Sequence, residues 1–265
     1  MRLLVVAFLL AAGVGVAFVA TAHHSAARTT GSRAASFVAE ARSLPQPERP
    51  ALTVAQPRLL NRGETRARFA SVLRAVTARS EPSRSAATVA PLDRETSEGT
   101  SNIVLVIGER HRPDGAWVRV RLPVLPNDRT GWVPRRALGG YVFVHTHLVV
   151  DRSRLTATLF RDGRNVFAAP VGVGKPGSPT PAGQFYVRDR LNGFGNPFYG
   201  PVAFGTSARS AVLTDWPAGG FVGIHGTNEP GLLPGRVSHG CVRLRNRDIL
   251  RLARLMPVGT PVTIR

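Results

Sequence analysis

Apolar and polar residues alternate in short runs through the second half of the chain, and glycine, proline or aspartate separates one run from the next. This pattern is typical of β-strands joined by tight turns. It predicts strands over 141–150, 155–160 and 166–173. The fold class predicted for this half is therefore mainly β.

One segment near the C-terminus has helical spacing instead. An apolar stripe recurs every three or four residues, at Ile249, Leu252, Ala253 and Met256. The stripe predicts a helix over about 247–256, with Asn246 as its N-cap and Pro257 at its end. A last strand is expected over 258–264.

Short β-prone runs also occur between residues 70 and 139, with turn signals between them, at 71–77, 88–92, 102–107 and 117–122. A small closed barrel is the arrangement that leaves no strand edge exposed. The segment resembles bacterial SH3-like domains, because Gly131-Trp132-Val133 is similar to their closing strand and 78–83 to their early A-R-S-x-P-S turn. We expect an SH3-like barrel over 70–139.

The N-terminus has a different composition. Residues 1–22 contain Arg2, an uncharged apolar run and the small-x-small sequence Ala20-Thr21-Ala22, the layout of a secretory signal peptide. The run is also long enough for an uncleaved membrane anchor. Residues 23–69 are rich in Ala, Arg and Pro, which predicts a flexible linker with a short helix near 64–69.

The chain is strongly basic, with a formal net charge of +19. All but one of its 35 basic residues are arginine, and the exception is Lys175. A field of this sign attracts polyanions. For an exported protein we expect anionic cell-wall polymers as partners rather than nucleic acid, and membrane contact only through an uncleaved N-terminal segment. The sequence leaves the oligomeric state open.

Cys241 is the only cysteine of the chain. Exported proteins usually pair their cysteines in disulfides, which a single cysteine cannot do within one chain. It is therefore either a buried apolar residue or a reactive thiol, and the count does not decide between them.

The residues before this cysteine favour a reactive thiol. A nucleophilic thiol needs a base and donors for the oxyanion that forms on attack. His225, followed by glycine, and His239, two residues before the thiol, are candidate bases. Gly240 allows a sharp turn, and we expect its amide, with that of Cys241, to point at a bound carbonyl oxygen.

These motifs resemble the L,D-transpeptidase (YkuD) catalytic domain, whose members cross-link bacterial peptidoglycan. The matching segments are His-Gly-Thr at 225–227, Ser-His-Gly-Cys-Val-Arg-Leu at 238–244, Lys-Pro-Gly-Ser-Pro-Thr-Pro-Ala-Gly-Gln-Phe at 175–185 and Asn-Pro-Phe-Tyr-Gly-Pro at 196–201. The resemblance covers about 140–265 and implies a β-sandwich with one or two helices.

The resemblance also implies roles for individual residues. Cys241 would be the nucleophile, His225 its base, oriented by the Gly226 carbonyl, and His239 a further catalytic residue beside the oxyanion. Substrate contacts would come from Gly226, Thr227, Ser238, Gly240, Arg243 and Tyr199, with Arg243 binding a carboxylate.

The reaction implied is attack on the amide between the third and fourth residues of a peptidoglycan stem peptide. D-alanine leaves, a thioester forms, and an acceptor amine displaces it to give a 3→3 cross-link. If water were the acceptor, the protein would be an L,D-carboxypeptidase. No cofactor is expected.

Two other classes of function compete with this one. His145 and His147 stand at strand spacing on one face, as in wall-cleaving zinc peptidases, although further ligands are not evident nearby. A non-catalytic wall-binding protein would use the 70–139 segment and carry a degenerate second domain.

Overall fold

The structure is a computed structural model that describes residues 58–59, 66–192, 196–214 and 220–265. The predicted signal segment 1–22 and most of the predicted linker lie outside these ranges. Within them, no helix has both the length and the apolar character needed to cross a bilayer.

The described residues contain eighteen strands and one α-helix, so the prediction of a mainly β chain is confirmed for them. In chain order the elements are β1 (Arg58–Leu59), β2 (Ala67–Ser71), β3 (Val76–Arg79), β4 (Thr88–Leu92), β5 (Ile103–Arg112), β6 (Gly115–Arg121), β7 (Thr130–Pro134), β8 (Val142–Val144), β9 (Thr146–Asp151), β10 (Thr156–Arg161), β11 (Arg164–Pro170), β12 (Gly172–Gly174), β13 (Gly183–Asn192), β14 (Val202–Arg209), β15 (Phe221–His225), β16 (Gly235–Ser238), β17 (Val242–Arg243), α1 (Asn246–Leu255) and β18 (Pro261–Ile264).

The strands β1 to β8 form a first sheet in the order β4-β3-β7-β6-β5-β2-β8, with β1 paired to β5. Its pairs are antiparallel, and the β5–β6 hairpin is buried away from its turn, at Ile103–Val106 of β5 and at Trp117, Val118 and Val120 of β6. A valine-rich core lies inside it, including Val104, Val106, Val118 and Val120. In the described residues the pairing runs from β4 to β8 without closing on itself, so a closed SH3-like barrel stays a prediction.

The remaining strands form a second sheet in the order β11-β10-β9-β18-β13-β14-β15-β17-β12-β16. Apolar residues from nine of these ten strands and from α1 share one buried core, which requires the sheet to curl around it. The helix contributes Ile249, Leu252 and Ala253 to that core. Burying this stripe stabilises α1 by about 1.5–3 kcal/mol for each large side chain.

The predicted helix is confirmed, but the prediction of Asn246 as its N-cap is wrong. The helix begins at Asn246, the residue in the N-cap position is Arg245, and no side chain bonds to the first turn there. The side chain of Asn246 is used elsewhere, because its Oδ1 accepts a hydrogen bond from the backbone N–H of Thr227 at 2.9 Å.

Four strand predictions and one helix prediction need correction. The run 71–77 is divided between β2 and β3, and the run 166–173 is divided at Val171 between β11 and β12. The run 141–150 is divided at His145, because β8 pairs with β2 of the first sheet whereas β9 pairs with β18 of the second. The last strand begins at Pro261 rather than at 258. The helix expected near 64–69 is wrong where the chain is described, since Ala67–Ser71 is a strand that pairs with β5.

The two sheets meet through a small apolar cluster and through single close contacts. Tyr186 is fully buried in that cluster, and its hydroxyl donates a hydrogen bond to the carbonyl of Ile103 at 3.0 Å. Gly259 has a φ of +86°, and a Cβ there would lie 2.1 Å from Cδ1 of Phe69. The contact between the sheets therefore has no room for a side chain at position 259.

Replacing this glycine tests how tightly the sheets are packed. We expect Gly259→Ala to lower the free energy of unfolding by about 2–4 kcal/mol, because it combines left-handed strain with overpacking against Phe69. Gly163→Ala is the matched control, since Gly163 also has a positive φ (+77°) but nothing lies within 4 Å of its Cβ position. We expect it to cost about 1 kcal/mol. If urea denaturation showed the same loss of unfolding free energy for both variants, the two sheets would not be tightly packed at Gly259.

Candidate active site

The parallel pairing of β15 with β17 places His225 and Cys241 near each other. Ile224 lies opposite Val242, and His225 lies opposite Arg243. The Leu244 N–H donates to the His225 carbonyl at 2.8 Å. Cys241 comes directly before β17, and so both side chains reach one pocket.

The thiol of Cys241 is partly buried and receives a hydrogen bond from the backbone. The Gly223 N–H donates to its Sγ at 3.4 Å. Burial raises the pKa of the Cys241 thiol, while this hydrogen bond and the positive charge of Arg243 lower it in part. Burial is the largest of these effects, so the surroundings of the sulfur favour the neutral thiol over the thiolate.

The imidazole of His225 is also held neutral. Its side chain is 1% exposed, and burial lowers its pKa to about 4. The Gly226 contact opposes that shift, and the charge of Arg243 adds to it. Nδ1 lies 2.6 Å from the Gly226 carbonyl oxygen. Because a carbonyl can only accept, Nδ1 carries the proton and Nε2 has the free lone pair.

Nε2 of His225 is buried and has no hydrogen-bond partner among the described residues. A buried acceptor without a partner is costly, and it is found where a site awaits a proton or a ligand. The position of a Cβ on Gly223 would be 3.7 Å from the His225 ring and 3.8 Å from Cys241 Sγ. The His225 imidazole and the Cys241 thiol therefore face the same small volume beside Gly223.

The turn that carries the thiol is fixed by one hydroxyl. Ser238 Oγ donates to the Cys241 carbonyl at 2.6 Å and accepts from the Gly240 N–H at 3.1 Å. Gly240 has a φ of +122°, a conformation that favours glycine. The expectation that its amide points at a bound carbonyl is wrong for this structure, because Ser238 already accepts that hydrogen bond.

A second hydroxyl ties the turn to β12. Thr180 Oγ1 donates to the Gly240 carbonyl at 2.8 Å and accepts from the Gly174 N–H at 2.8 Å. Thr180 is 1% exposed. The Thr-Pro segment noted in the sequence thus supports the Cys241 turn from the connection between β12 and β13.

The His-Gly-Thr segment is packed against the start of α1. A Cβ on Gly226 would lie 2.4 Å from Asn246 Oδ1, and a Cβ on Gly200 would lie 2.5 Å from the same atom. Thr227 is buried, with its N–H bonded to Asn246 and its Oγ1 accepting from the Glu229 N–H. These contacts fix the Gly226 carbonyl that orients the imidazole.

Arg243 is a buried cation within reach of the pocket. It is 4% exposed, and its Nη1 donates a hydrogen bond to the Glu229 carboxylate at 3.1 Å. Its guanidinium carbon lies 4.4 Å from the centre of the Phe198 ring. Its Nε is buried without a partner among the described residues. The expected carboxylate-binding group is therefore held by a carboxylate of the protein itself.

The pocket, counted with the open solvent at its mouth, contains about 460 Å³ of empty space. Six of the predicted catalytic and substrate residues line it together with Tyr199, whose ring centroid is 5.0 Å from that of His225. The described residues that line it are Phe198, Tyr199, Ser210, Leu213, Gly220, Phe221, Val222, His225, Ser238, His239, Gly240, Cys241 and Arg243. Gly226 and Thr227 are not among them, and they act on the pocket through His225 and the turn behind it.

Several residues of the site were not predicted. Gly223 and Glu229 carry no motif that marks them, and Phe198 was noted only as part of a segment. A pairing argument could have found Gly223, since the residue two before His225 must lie beside the residue before β17 when the two strands are parallel.

The two histidines considered as zinc ligands have other partners. His145 Nδ1 lies 2.8 Å from Asp162, and His147 Nε2 lies 2.7 Å from the hydroxyl of Thr263. No group of three or more metal-ligating side chains occurs in the ranges that the structure describes.

Comparison with known proteins addresses the same part of the chain. Residues 145–264 match the family YkuD, described as the L,D-transpeptidase catalytic domain. This part of the chain is therefore similar to that catalytic domain, and the matched residues include both His225 and Cys241.

Two relatives carry the name of L,D-transpeptidases. YkuD of Bacillus subtilis (strain 168) is 36% identical over 118 residues, which is 44% of this chain and 65% of that protein. YbiS of Escherichia coli (strain K12) is 32% identical over 137 residues, which is 45% of this chain and 44% of that protein. The chain therefore spans less than two thirds of the length of these relatives.

Among solved structures, the catalytic domain of an Enterococcus faecium L,D-transpeptidase is 26% identical. The match covers 45% of this chain and 96% of that one, with a TM-score of 0.35. A score this low describes a partial superposition only, so the YkuD assignment depends on the sequence matches.

Removing the hydroxyl of Ser238 tests whether it restrains the thiol. Ser238→Ala leaves the Cys241 carbonyl and the Gly240 N–H without their partner, and we expect the free energy of unfolding to fall by about 1–3 kcal/mol. A looser turn admits water to the sulfur, so iodoacetamide should alkylate Cys241 faster at pH 7.

Ser153→Ala is the matched control for this test. The Ser153 hydroxyl also makes a short hydrogen bond within a turn, to Asp151 at 2.6 Å, but on the β9–β10 connection. Ser153→Ala should leave the alkylation rate of Cys241 unchanged. An unchanged rate in Ser238→Ala as well would contradict the restraint that we assign to Ser238.

Proposed function

We propose that the protein is an exported peptidoglycan L,D-transpeptidase that forms 3→3 cross-links through a thioester at Cys241. The YkuD-type domain supports a peptidoglycan-modifying acyltransferase. The N-terminal segment 1–22 is the basis for export, and the stem peptides of peptidoglycan are the proposed substrates. An SH3-like role of the first sheet, with a wall component as its ligand, belongs to the same proposal.

The observation that carries the proposal is that the Cys241 thiol and the His225 imidazole line one pocket, and both lie beside Gly223. His225 presents an unprotonated Nε2 with no partner among the described residues, and Cys241 carries a proton. An imidazole with a pKa near 4 is a weak base in water. It is effective here because it accepts the proton as the sulfur–carbon bond forms, rather than in advance.

The first half of the reaction is acyl transfer to sulfur. Cys241 Sγ attacks the carbonyl carbon of the third stem residue, and its proton passes to His225 Nε2. The tetrahedral intermediate then expels the amine of D-alanine, which takes that proton. The carbon–nitrogen bond breaks, a thioester forms, and both protein groups are neutral again.

The second half is transfer to an amine. The acceptor nitrogen attacks the thioester carbonyl and gives a proton to His225, the carbon–sulfur bond breaks, and the proton returns to the leaving sulfur. The hydrogen bond from the Gly223 N–H is already directed at Sγ, so it stabilises the negative charge on the leaving sulfur.

Arg243 supports recognition of a substrate carboxylate. Its guanidinium is bonded to Glu229, whose side chain is 49% exposed, while its Nε has no partner among the described residues. A carboxylate that enters the pocket can bond to the free donor, or replace Glu229, without taking the cation out of a paired state. We therefore expect the charged end of the donor peptide to bind near Phe198, whose ring the Arg243 guanidinium contacts.

Hydrolysis would need the same residues, with water in place of the amine. The acyl-enzyme is common to both outcomes, so the acceptor decides between transpeptidase and carboxypeptidase. The names of the relatives favour the transpeptidase.

Intact-mass spectrometry tests the proposal. Full-length protein incubated with a tetrapeptide stem should gain the mass of the tetrapeptide less D-alanine, and Cys241→Ala should gain nothing. His225→Gln should acylate about 10²–10⁴-fold more slowly, because general-base action is lost. Adding a stem with a free side-chain amine should discharge the adduct as a cross-linked product.

His145→Gln is the matched histidine control, because His145 pairs with Asp162 and does not line the pocket. It should acylate at the wild-type rate. An adduct on Cys241→Ala, or no adduct on the wild type, would refute the thioester mechanism. Activity that chelators abolish and thiol alkylation spares would point to a zinc peptidase instead.

A further inference from the structure

One wall of the catalytic pocket is the connection between β14 and β15. Its described pocket-lining residues are Ser210, Leu213, Gly220 and Phe221, which we call the pocket wall. The Ser210 N–H donates to the Gly220 carbonyl at 2.9 Å, and Ser210 Oγ accepts from the Leu213 N–H at 3.0 Å. Hydrogen bonds therefore join the two ends of the pocket wall, next to the point where Arg209 of β14 pairs with Phe221 of β15.

A turn of the first sheet contacts Arg209, the residue that precedes the pocket wall. Asn127, in the connection between β6 and β7, donates its side-chain N–H to the Arg209 carbonyl at 2.8 Å. Its Oδ1 accepts from the Arg209 N–H at 3.0 Å. The neighbouring Asp128 accepts from the Gln184 N–H at 2.7 Å. One side-chain amide thus satisfies both backbone groups of the residue that precedes the pocket wall.

A second contact from the first sheet acts on the ring of Phe221. The guanidinium carbons of Arg188 and Arg209 lie 3.9 Å and 4.6 Å from the ring centre. Arg188 is 4% exposed. Its Nη2 lies 3.8 Å from Oε2 of Glu98, a residue in the connection between β4 and β5.

Charge balance explains why the carboxylate matters. Two guanidinium groups close to one ring repel each other, and burial and the charge of Arg188 both lower the pKa of Arg209. Asp189 is a further charged neighbour of Arg188, but burial raises its pKa and it belongs to the second sheet. Asp189 Oδ2 and Glu98 Oε2 are both buried without a hydrogen-bond partner among the described residues, so Glu98 acts on Arg188 through charge rather than through a hydrogen bond. Glu98 is then the carboxylate that offsets Arg188 from outside the catalytic domain.

We propose that the first sheet positions the pocket wall, with Asn127 and Glu98 as positioning residues for substrate binding. Asn127 fixes the backbone at Arg209, and Glu98 fixes Arg188 against Phe221. Neither residue lines the pocket, so each acts through another group. The first sheet then contributes to affinity for the donor peptide in addition to anything that it binds itself.

A purely structural role for these contacts would give a different result. The bond from Tyr186 to Ile103 also joins the two sheets, but it lies in the apolar cluster away from the pocket wall. If Asn127 and Glu98 only hold the sheets together, then Tyr186→Phe should affect the wall as they do.

Hydrogen exchange in the full chain tests the inference without reference to any reaction. In Asn127→Ala, the amide of Arg209 loses its acceptor, and we expect exchange in peptides covering 209–214 and 220–223 to be about tenfold faster or more. Glu98→Gln should speed exchange to the same extent in the peptide that contains Phe221. Tyr186→Phe should leave exchange unchanged in both peptides. Equal changes in all three variants, or no change in any, would overturn the inference.

Kinetics with the tetrapeptide stem give a second readout, which rests on the proposed function. Asn127→Ala and Glu98→Gln should raise KM by about threefold to tenfold with kcat changed less than twofold, because the wall binds and does not react. Asn127→Asp keeps the acceptor for the Arg209 N–H and should fall between wild type and Asn127→Ala. A fall in kcat at constant KM would overturn the positioning role. If the wild type does not react with the stem, the proposed function fails, and hydrogen exchange alone decides this inference.

Discussion

The contact between the Nδ1–H of His225 and the carbonyl oxygen of Gly226 is the constraint on which the site depends. It fixes which ring nitrogen carries the proton, and hence which one can accept a proton from the thiol. A carbonyl does this without adding a negative charge beside the ring. Burial keeps the ring neutral over the pH range in which peptide bonds would be attacked, although the Gly226 hydrogen bond partly opposes that effect, and the carbonyl orients the ring without a carboxylate.

Much of the surrounding structure holds that carbonyl in place. Asn246 contacts the glycine from the start of α1 and bonds to the next residue, Thr227, so the helix is linked directly to the site. Thr180 and Ser238 restrain the thiol from the other side. The restraints are short polar side chains bonded to backbone groups, which lose little conformational freedom on ordering. This explains how a pocket built from loops can hold two reactive groups in register.

Features with a local signal were predictable from the sequence. The apolar stripe with Ile249 and Leu252 was enough to place the helix, and the spacing of His225 and Cys241 around glycines was enough to bring both into one pocket. The role of Asn246 was not, since a residue at the start of a helix is ordinarily a cap and only the tertiary fold directs it to Thr227. The division of the run 141–150 between two sheets was equally hidden, because its apolar pattern continues across His145. Contacts such as Asn127 with Arg209 join residues far apart in the chain and leave no periodic trace.

The protonation state of His225 is the most direct test of this account. Nuclear magnetic resonance of the ¹⁵N-labelled imidazole would report both ring nitrogens across a pH titration. We predict a neutral ring protonated on Nδ1 at pH 7, which gains its second proton only as the pH falls through about 4. The spectrum of Cys241→Ala should be similar at pH 7. A ring that is positively charged at pH 7 in the wild type and neutral in Cys241→Ala would show a preformed thiolate–imidazolium pair and contradict the account.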